Sequence, residues 1–360
     1  MSLSRLTVSA GLLLAAASPS ASADPSSMVP ASNPAFRYDG RIDDHQADAP
    51  VLIWENTQVA FDFVGPWVAL DFRDGRDQNF FNVEVDGHSQ EIGILPLVPN
   101  RIVIGPFADG HHHIVLDKRT EASTGHVTFA GVEPAPGGSI APSPAPAYAH
   151  RFAFYGDSIT VGACNEDGPV DQWIDRRSHN AALSYAALTA NAFKADLQNI
   201  SISGMGMAIG WTPFLTDQVW NRLYPDPTAV PVDPSVFHPD VVFTNYGEND
   251  GSFATARKMA FPSASYLERY VAWVHELRAT YPAAEIVILR GGMFNGANNP
   301  DLRSAWEAAV AKIESADPRV AHFVFKHWSG NHPRVPDDRA MADELVDWLH
   351  GQPFLGPHAP

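Results

Sequence analysis

The spacing of the apolar residues changes once along the chain, near residue 150, and this change constrains the fold more than any other feature. Before it, apolar residues alternate in short runs such as Thr57–Phe63, Phe80–Val85 and His111–Leu116, and Asp-Gly turns separate the runs. Short alternating runs at close spacing are typical of antiparallel strands. The spacing therefore predicts an antiparallel β-sandwich over residues 34–133.

After residue 150, short apolar strands alternate with segments of helical spacing. The predicted strands are Arg151–Tyr155, Asp240–Tyr246, Glu285–Arg290 and Val320–Phe325. The predicted helices are Asn180–Phe193, Ser263–Tyr281, Asp301–Ser315 and Asp337–His350. This alternation predicts a three-layer α/β/α domain over residues 150–352, with helices on both faces of a parallel sheet. Functional residues are then expected beyond the carboxyl ends of the strands. Residues 134–149, rich in Pro and Ala, are predicted to be a linker.

The composition excludes several classes of function. The 360 residues include 41 acids and 24 Lys plus Arg, for a formal charge of −17. This surplus argues against nucleic acid and against anionic membranes as partners, because both need clustered basic side chains. The single cysteine, Cys164, excludes an intrachain disulfide and a four-cysteine metal site. We interpret it as a small buried residue.

The first 23 residues have the pattern of a signal peptide. Arg5 precedes a short apolar run, and Ala21-Ser22-Ala23 supplies the small residues of a cleavage site. The apolar run is shorter than the roughly 20 residues that span a bilayer. We therefore expect a secreted or periplasmic protein without membrane insertion.

A serine follows the first predicted strand of the second half. Phe154-Tyr155 is followed by Gly156-Asp157-Ser158, so a glycine allows a tight turn and the serine stands at the edge of the sheet. A serine in this place is a nucleophile when a base takes its proton. Asp157 is expected to cap the turn.

Three further short motifs follow in sequence, each at the end of an apolar strand or before a helix. They are Ser201–Gly206, Tyr246–Asp250 and Gly330–Pro333. Together with Gly156–Ile159, the four motifs resemble, in order, those of the SGNH (GDSL) hydrolase family. The resemblance implies a serine hydrolase without a metal or an organic cofactor.

The resemblance also implies roles for four residues. Ser158 is the expected nucleophile, and His332 is the expected base and acid. The oxyanion that forms on the substrate is expected to accept hydrogen bonds from the backbone N–H groups of Ser158 and Gly204 and from the side-chain amide of Asn249. Preorganised donors of this kind stabilise the transition state of ester cleavage.

The chain departs from the family at the position that normally carries the acid, three residues before the histidine. This position is Ser329. Either His332 works in a dyad, with its Nδ1–H bonded to a backbone carbonyl, or an acid from elsewhere folds in. Asp337 and Asp338 lie near the start of the last predicted helix, where we expect them to cap it. The sequence favours the dyad.

The last strands of the predicted sandwich indicate which class of hydrolase the chain resembles. The segment His111–Glu121, with Gly125 and Phe129-Ala130-Gly131, resembles the last strands of the sandwich in carbohydrate esterase family 2. Members of that family join a jelly-roll domain to an SGNH domain in this order and remove acetyl groups from plant polysaccharides such as xylan. The resemblance implies an acetylated polysaccharide or oligosaccharide substrate. Lys118, Arg119 and Glu121 are interpreted as a paired surface strand end.

Sugar rings bind to flat apolar faces and hydrogen-bonding groups. Trp211, Phe294 and Trp328 are predicted platforms, and Asn295 is a predicted polar contact. The run His111–His113 is interpreted as an exposed strand surface and not as a metal site. Two other functions stay open: a lipase or thioesterase on the same fold, and a glycan-binding protein whose catalytic domain has decayed. The oligomeric state is not predicted.

Overall fold

A computed structural model describes residues 28–233 and 236–355. The predicted signal peptide lies outside the described residues. Two antiparallel sheets are formed before residue 142, and one parallel sheet flanked by helices follows. This architecture is the predicted one.

The first domain is a sandwich of two six-stranded antiparallel sheets. One sheet has the order β3-β4-β11-β6-β9, with β1 on β11, and the other has the order β12-β5-β10-β7-β8, with β2 on β5. The strands are β1 Val29–Pro30, β2 Arg37–Asp39, β3 Ile42–Asp43, β4 Val51–Leu52, β5 Gln58–Val64, β6 Val68–Arg73, β7 Asn79–Val85, β8 His88–Ile94, β9 Asn100–Ile104, β10 His111–Lys118, β11 Val127–Pro134 and β12 Ser139–Ala141. Strand β12 falls within the segment predicted to be a linker.

The sandwich is held together by the apolar side chains that alternate along its strands. In β7 and β10 buried residues alternate with more exposed ones, as expected for strands with one face on a core. Phe61 of one sheet and Phe72 and Phe129 of the other meet in the core between the sheets. The inward-facing apolar set is therefore the feature that fixes strand register.

The second domain contains five parallel strands in the order β14-β13-β15-β16-β17. They are β13 His150–Gly156, β14 Ala195–Ser201, β15 Val241–Asn245, β16 Glu285–Met293 and β17 Val320–Ser329. The α-helices are α1 Tyr185–Ala192, α2 Thr216–Val219, α3 Glu248–Ala256, α4 Ser263–Thr280, α5 Phe294–Asn298, α6 Pro300–Ala316 and α7 Val335–His350. Apolar clusters cover both faces of the sheet.

Several elements differ from the prediction, and among them are the short helices α2, α3 and α5, which were not predicted. Strand β14 was not predicted, and the helix expected from Asn180 begins at Tyr185. The later start has a local cause, because the Ser184 hydroxyl accepts a hydrogen bond from the Ala187 N–H and caps α1. The first strand of this sheet, β13, lies between β14 and β15, so the next two strands in sequence lie on opposite sides of it. The strand order thus reverses at β13, and a crevice opens there at the carboxyl ends of the strands.

The two domains share a buried seam. Ile53, Trp54 and Ala122 of the sandwich belong to the same apolar cluster as residues of the parallel sheet and its helices. The indole N–H of Trp54 donates to the carbonyl of Leu223 at 2.8 Å. The sandwich is thus packed against the second domain. In the part of the chain that the structure describes, no helix is both long enough and apolar enough to cross a membrane.

Candidate active site

A cavity of about 560 Å³ lies at the carboxyl ends of the parallel strands. It brings together the four residues that were predicted to carry the chemistry, although they are far apart in sequence. Its described lining residues are Ser123, Ser158, Trp173, Arg176, Ser203, Gly204, Trp211, Thr212, Glu248, Asn249, Ser252, Met293 and His332. One of them, Ser123, belongs to the first domain.

The turn after β13 presents Ser158. Glycine is required at position 156, because a Cβ there would lie 2.0 Å from Thr160 Oγ1. Asp157 Oδ1 accepts the Ile159 N–H at 3.0 Å, so this side chain caps the turn as expected. The Asp157 carboxyl is fully buried, and burial raises its pKa well above the usual range.

Two residues that line the cavity have backbone N–H groups without a hydrogen-bond partner in the described part of the chain. Within residues 28–233 and 236–355, the N–H groups of Ser158 and Gly204 make no hydrogen bond to the protein, so both are available to an oxyanion. Gly204 has φ +84°, and a Cβ there would lie 3.1 Å from Trp211 Cβ. A side chain at this position would strain the loop that presents its N–H.

The amide of Asn249 is already engaged. Its Nδ2 donates to Asp157 Oδ2 at 3.0 Å and to the carbonyl of Met205 at 3.1 Å. These bonds hold Asn249 beside Ser158 and at the cavity wall. For Asn249 to donate to an oxyanion, one of the two bonds must be exchanged, which makes it a different donor from the two backbone groups.

The loop after Gly204 is held by one buried carboxylate. Asp250 Oδ2 accepts the N–H of Met207 at 2.9 Å, and Oδ1 accepts those of Ala208 and Ile209 at 2.7 and 3.0 Å. Such clusters of N–H groups around a carboxylate are strong, because the acceptor is charged. Asp250 therefore supports the loop that carries the Gly204 donor.

His332 is oriented by a carboxylate and not by a backbone carbonyl. Its Nδ1 lies 2.7 Å from Oδ2 of Asp171, in the loop between β13 and α1. The favoured dyad is therefore wrong as a description of this structure, and the alternative of an acid from elsewhere applies. Asp337 accepts the Arg334 N–H at the start of α7, whereas the buried Asp338 accepts the Tyr185 N–H. Asp338 thus does not cap α7 as expected.

The charge of Asp171 is well supported. Its Oδ1 accepts from Arg334 Nη2 at 2.8 Å. The hydrogen bond from His332 is the main cause, and the bond from Arg334 a further one, that holds the pKa of Asp171 well below its usual range. Asn331 also donates to the carbonyl of Pro169 at 3.1 Å. His332 and its neighbours Asn331 and Arg334 thus all bind the loop that carries Asp171.

Nothing in the sequence signalled Asp171. It lies 161 positions before His332, in a segment of irregular backbone without apolar periodicity. The same loop supplies Trp173, whose ring stacks on the His332 ring with centroids 5.2 Å apart and an interplanar angle of 27°. Trp173 therefore restrains the orientation of the imidazole from a second side.

Nε2 is the imidazole nitrogen left for Ser158, because Nδ1 is bonded to Asp171. Both side chains line the cavity, but the described residues show no direct hydrogen bond between Ser158 Oγ and the His332 ring. Contacts between nucleophile and base are often long before substrate binds. The Ser158–His332 pairing stays a prediction.

The residues that were predicted to contact sugar differ in their position relative to the cavity. Trp211 lines the cavity and is 51% exposed. Phe294 is 58% exposed, next in sequence to the cavity residue Met293. Asn295 donates to Glu248 Oε1 at 2.8 Å, and this carboxylate lines the cavity.

Trp328 is not among the described lining residues of the cavity. Its ring packs over Gly291 and Gly296, where a Cβ would lie 3.2 and 2.8 Å from ring atoms. Trp328 is thus placed as a packing residue. Sequence analysis missed Trp173, Arg176 and Ser123 at the cavity, because loop positions carry no periodic signal.

The interpretation of Lys118, Arg119 and Glu121 as a surface strand end is wrong. Their exposed fractions are 0%, 3% and 1%. Glu121 Oε2 accepts the N–H of Ser203, and Arg119 donates to the carbonyls of Arg177 and His179. The segment is buried because this end of the sandwich enters the seam between the domains.

One group of side chains in the described part of the chain has the composition of a metal site. Ligand atoms of Cys164, Asp171 and His332 lie within 4.8 Å of one another. The 2.7 Å between the imidazole and the carboxylate is a hydrogen-bond distance. It is too short for two ligands of one zinc ion, each bonded at about 2.0–2.2 Å in tetrahedral geometry. As predicted, Cys164 is buried.

The histidine run of β10 is divided between the two faces of its sheet. His111 and His113 both pair with Asp62, at 3.2 and 2.7 Å. His112 is buried between Phe63 and Phe107 and bonds to Asp86. The predicted exposed surface is thus wrong for His112, because successive side chains of a strand point to opposite faces.

The sequence was compared with family models and known proteins. Residues 154–351 match the model described as the GDSL-like lipase/acylhydrolase family, and residues 38–144 match that of the carbohydrate esterase 2 N-terminal domain. The chain belongs to the GDSL-like lipase/acylhydrolase family and has the N-terminal domain of carbohydrate esterase family 2. The predicted family is confirmed, and the predicted enzyme class, a carboxylic ester hydrolase, is supported.

Two curated relatives are similar over most of this chain. One is a cellulase/esterase CelE of Acetivibrio thermocellus, 31% identical over an alignment of 332 residues that covers 87% of this chain. The chain spans 39% of that relative's length. Another is an acetylxylan esterase/glucomannan deacetylase of Cellvibrio japonicus, 27% identical, with 82% of this chain and 84% of the relative covered.

A solved structure is similar along its whole length. It is a family two carbohydrate esterase from Clostridium thermocellum in complex with cellohexaose, 28% identical, with a TM-score of 0.79. The match covers 88% of this chain and 98% of that one. The predicted fold, a sandwich followed by an SGNH domain, is confirmed.

Proposed function

We propose that this chain is a carbohydrate O-acetyl esterase with a serine nucleophile. One observation carries the proposal: a single cavity joins Ser158, the unpartnered N–H groups of Ser158 and Gly204, and His332 with its carboxylate partner Asp171. These are the groups that ester cleavage needs: a nucleophile, oxyanion donors and an oriented base. The names of the curated relatives support a polysaccharide as the bearer of the ester.

The reaction proceeds in two halves. Ser158 Oγ attacks the acetyl carbonyl while His332 Nε2 takes its proton, and the resulting oxyanion accepts from the N–H groups of Ser158 and Gly204. The histidine then gives the proton to the sugar oxygen that leaves. Water, activated by the same nitrogen, attacks the acetyl-enzyme and releases acetate. Asp171 stays ionised and stabilises the imidazolium that forms in each half.

The cavity walls support a sugar as the leaving group. Trp211 and Trp173 both line the cavity, and both expose part of their rings. Flat aromatic faces pack against the apolar faces of sugar rings, while Arg176, Glu248 and Ser123 supply polar groups at the same cavity. We also propose that the protein is exported.

The test is acetate release from acetylated xylan, acetylated glucomannan and a simple aryl acetate, run with wild type and Ser158→Ala. Wild type should release acetate from at least one polysaccharide, and the variant should lose this activity with an unchanged melting temperature. Substantial residual activity in the variant would refute the assignment of Ser158. A preference for long acyl chains in a series of aryl esters would indicate a lipase or thioesterase. Sugar binding without any ester turnover would indicate a decayed site.

A further inference from the structure

Buried residues of the sandwich reach directly into the catalytic loops of the second domain. We propose that Glu121 is a positioning residue of the oxyanion hole: the carboxylate of one domain fixes the backbone that donates to the oxyanion in the other. This inference rests on the proposed serine mechanism, but not on acetate as the acyl group.

The contact is a single short hydrogen bond. Glu121 Oε2 accepts the backbone N–H of Ser203 at 2.6 Å. Ser203 directly precedes Gly204, so only the φ and ψ rotations of Ser203 separate the anchored N–H from the peptide group that carries the Gly204 N–H. Fixing the planar peptide group that ends in the Ser203 nitrogen therefore limits the positions that the next peptide group can take.

A second carboxylate of the sandwich anchors the same loop two residues earlier. Glu55 Oε1 accepts the N–H of Ser201 at 2.9 Å, and Glu55 Oε2 accepts that of Ala122 at 3.3 Å. The loop from β14 to Gly204 is thus held at two points by side chains of the other domain. Because Ala122 follows Glu121 in sequence, Glu55 also ties these two anchors to each other.

The position of Glu121 is itself fixed. Lys118 Nζ donates to the carbonyl of Thr120 at 2.6 Å and to that of Glu121 at 3.4 Å. Lys118, Glu55 and Glu121 are all buried, so little water competes for these bonds. A hydrogen bond to a charged acceptor is stronger than one between neutral groups. Glu121 therefore holds Ser203 from a rigid base.

Glu121 acts through the backbone and not on substrate. It is not among the described residues that line the cavity, whereas Ser203, Gly204 and Ser123 are. Gly204 has a positive φ, and glycine has access to many other backbone conformations, so an anchor on the preceding residue favours this one. A loop of this kind keeps a donor aimed only if its neighbours are held.

The experiment compares Glu121→Gln, Glu121→Ala and the control Arg41→Met. The amide oxygen of glutamine still accepts the Ser203 N–H, whereas alanine leaves it without a partner. Arg41 is also buried in the seam, and it donates to the carbonyls of Trp220 and Arg222 and to Gln198 Oε1, all outside the described cavity lining. The control therefore weakens the seam without removing a hydrogen bond to residues 201–204.

Two kinetic assays are run beside the measurement of the melting temperature. One assay gives kcat and KM for the hydrolysis of an aryl acetate. The other is the rate at which a fluorophosphonate labels Ser158: the Oγ–P bond forms, fluoride leaves, and the serine proton passes through the base to solvent. The phosphoryl oxygen occupies the oxyanion hole whatever acyl group the enzyme prefers. The labelling rate thus reports on the hole even if acetyl esters are not substrates.

We expect Glu121→Ala to lose about tenfold or more in kcat and in labelling rate, with KM changed less than about threefold, because misplacing one donor weakens only the transition state. Glu121→Gln should keep both rates within about threefold, and so should Arg41→Met despite a lower melting temperature. Equal rates for Glu121→Ala and wild type would overturn the inference, as would an equal loss in Arg41→Met. Labelling without acetyl turnover in wild type would refute only the proposed substrate.

Discussion

The carboxylate bonded to His332, the proposed catalytic base, offers the sharpest test of the site. Asp171→Asn keeps the shape of the side chain but removes its charge. Asp171 now accepts from His332 Nδ1 at 2.7 Å and from Arg334 Nη2 at 2.8 Å. Asparagine has only one acceptor oxygen for these two donors. The variant therefore loses either the orientation of the imidazole or the bond to Arg334, and it loses the charge opposite the imidazolium.

The magnitude follows from the geometry. Two unit charges about 4 Å apart interact by about 4 kcal/mol at an effective dielectric constant of about 20. The side chain of Asp171 is 25% exposed and shares its charge with Arg334, so we expect roughly half of this value. About 2 kcal/mol agrees with the roughly 1.5–3 kcal/mol of hydrogen bonds to charged groups. The expected loss is therefore about 30-fold in kcat, at about 1.4 kcal/mol per tenfold.

The assay is the initial rate of aryl acetate hydrolysis for wild type, Asp171→Asn and Asp175→Asn. Asp175 lies in the same loop and is exposed, and its carboxylate accepts the Arg177 N–H. This control removes the same charge from the loop without touching His332. We expect kcat to fall in Asp171→Asn alone, with little change in KM. A loss of less than about threefold would show that the charge of Asp171 does not assist the histidine. The same loss in the control would show that the effect comes from the charge of the loop and not from the contact with His332.

Three further changes test other parts of the site. Gly204→Ala should lower the free energy of unfolding by about 1–2 kcal/mol and kcat by at least about tenfold, because alanine disfavours the positive φ. Denaturant titrations and rates equal to those of wild type would contradict this prediction. Asp250→Ala leaves three backbone N–H groups without their acceptor, so chemical denaturation should show a free energy of unfolding lower by about 3–5 kcal/mol. A decrease below about 1 kcal/mol would show that water replaces the carboxylate. The pKa of Asp171 is lower in the folded chain than its ordinary value of 3.8, so its contribution is complete above that value and is lost as the pH falls through the folded pKa. The stability advantage of wild type over Asp171→Asn should therefore shrink in acid, and an advantage that grows in acid would reverse the assigned sign.

The fold was predictable because its signals are local. A strand of period two or a helix of period 3.6 shows itself within about ten residues, and the change of period near residue 150 divides the two domains. The same periodicity placed Ser158 after a predicted strand, whereas the roles of Gly204, Asn249 and His332 came from the resemblance of the four motifs to the SGNH hydrolase family. Each of these residues stands near the end of a strand or before a helix. Parallel strands bring such ends to one edge of the sheet.

The remaining features depend on packing between segments that are distant in sequence. Asp171 meets His332 across 161 positions, and no periodic signal marks its loop. Lys118, Arg119 and Glu121 have the composition of a surface, and only the docking of the two domains buries them. Trp328 is a packing residue because two glycines leave room for its ring. Each of these outcomes depends on a contact between two distant segments, and the local sequence of neither segment indicates that contact.

The order of the reactive groups along the chain has a consequence for synthesis. The serine follows the first strand of the parallel sheet, whereas the histidine stands between the last strand and the last helix, α7. In the proposed mechanism, a ribosome therefore releases Ser158 long before His332, the residue that activates it. The serine hydroxyl stays unactivated until β17 has joined the sheet and His332 lies at the sheet's edge. In this mechanism reactivity begins with the folding of the last strand and not with the synthesis of the serine.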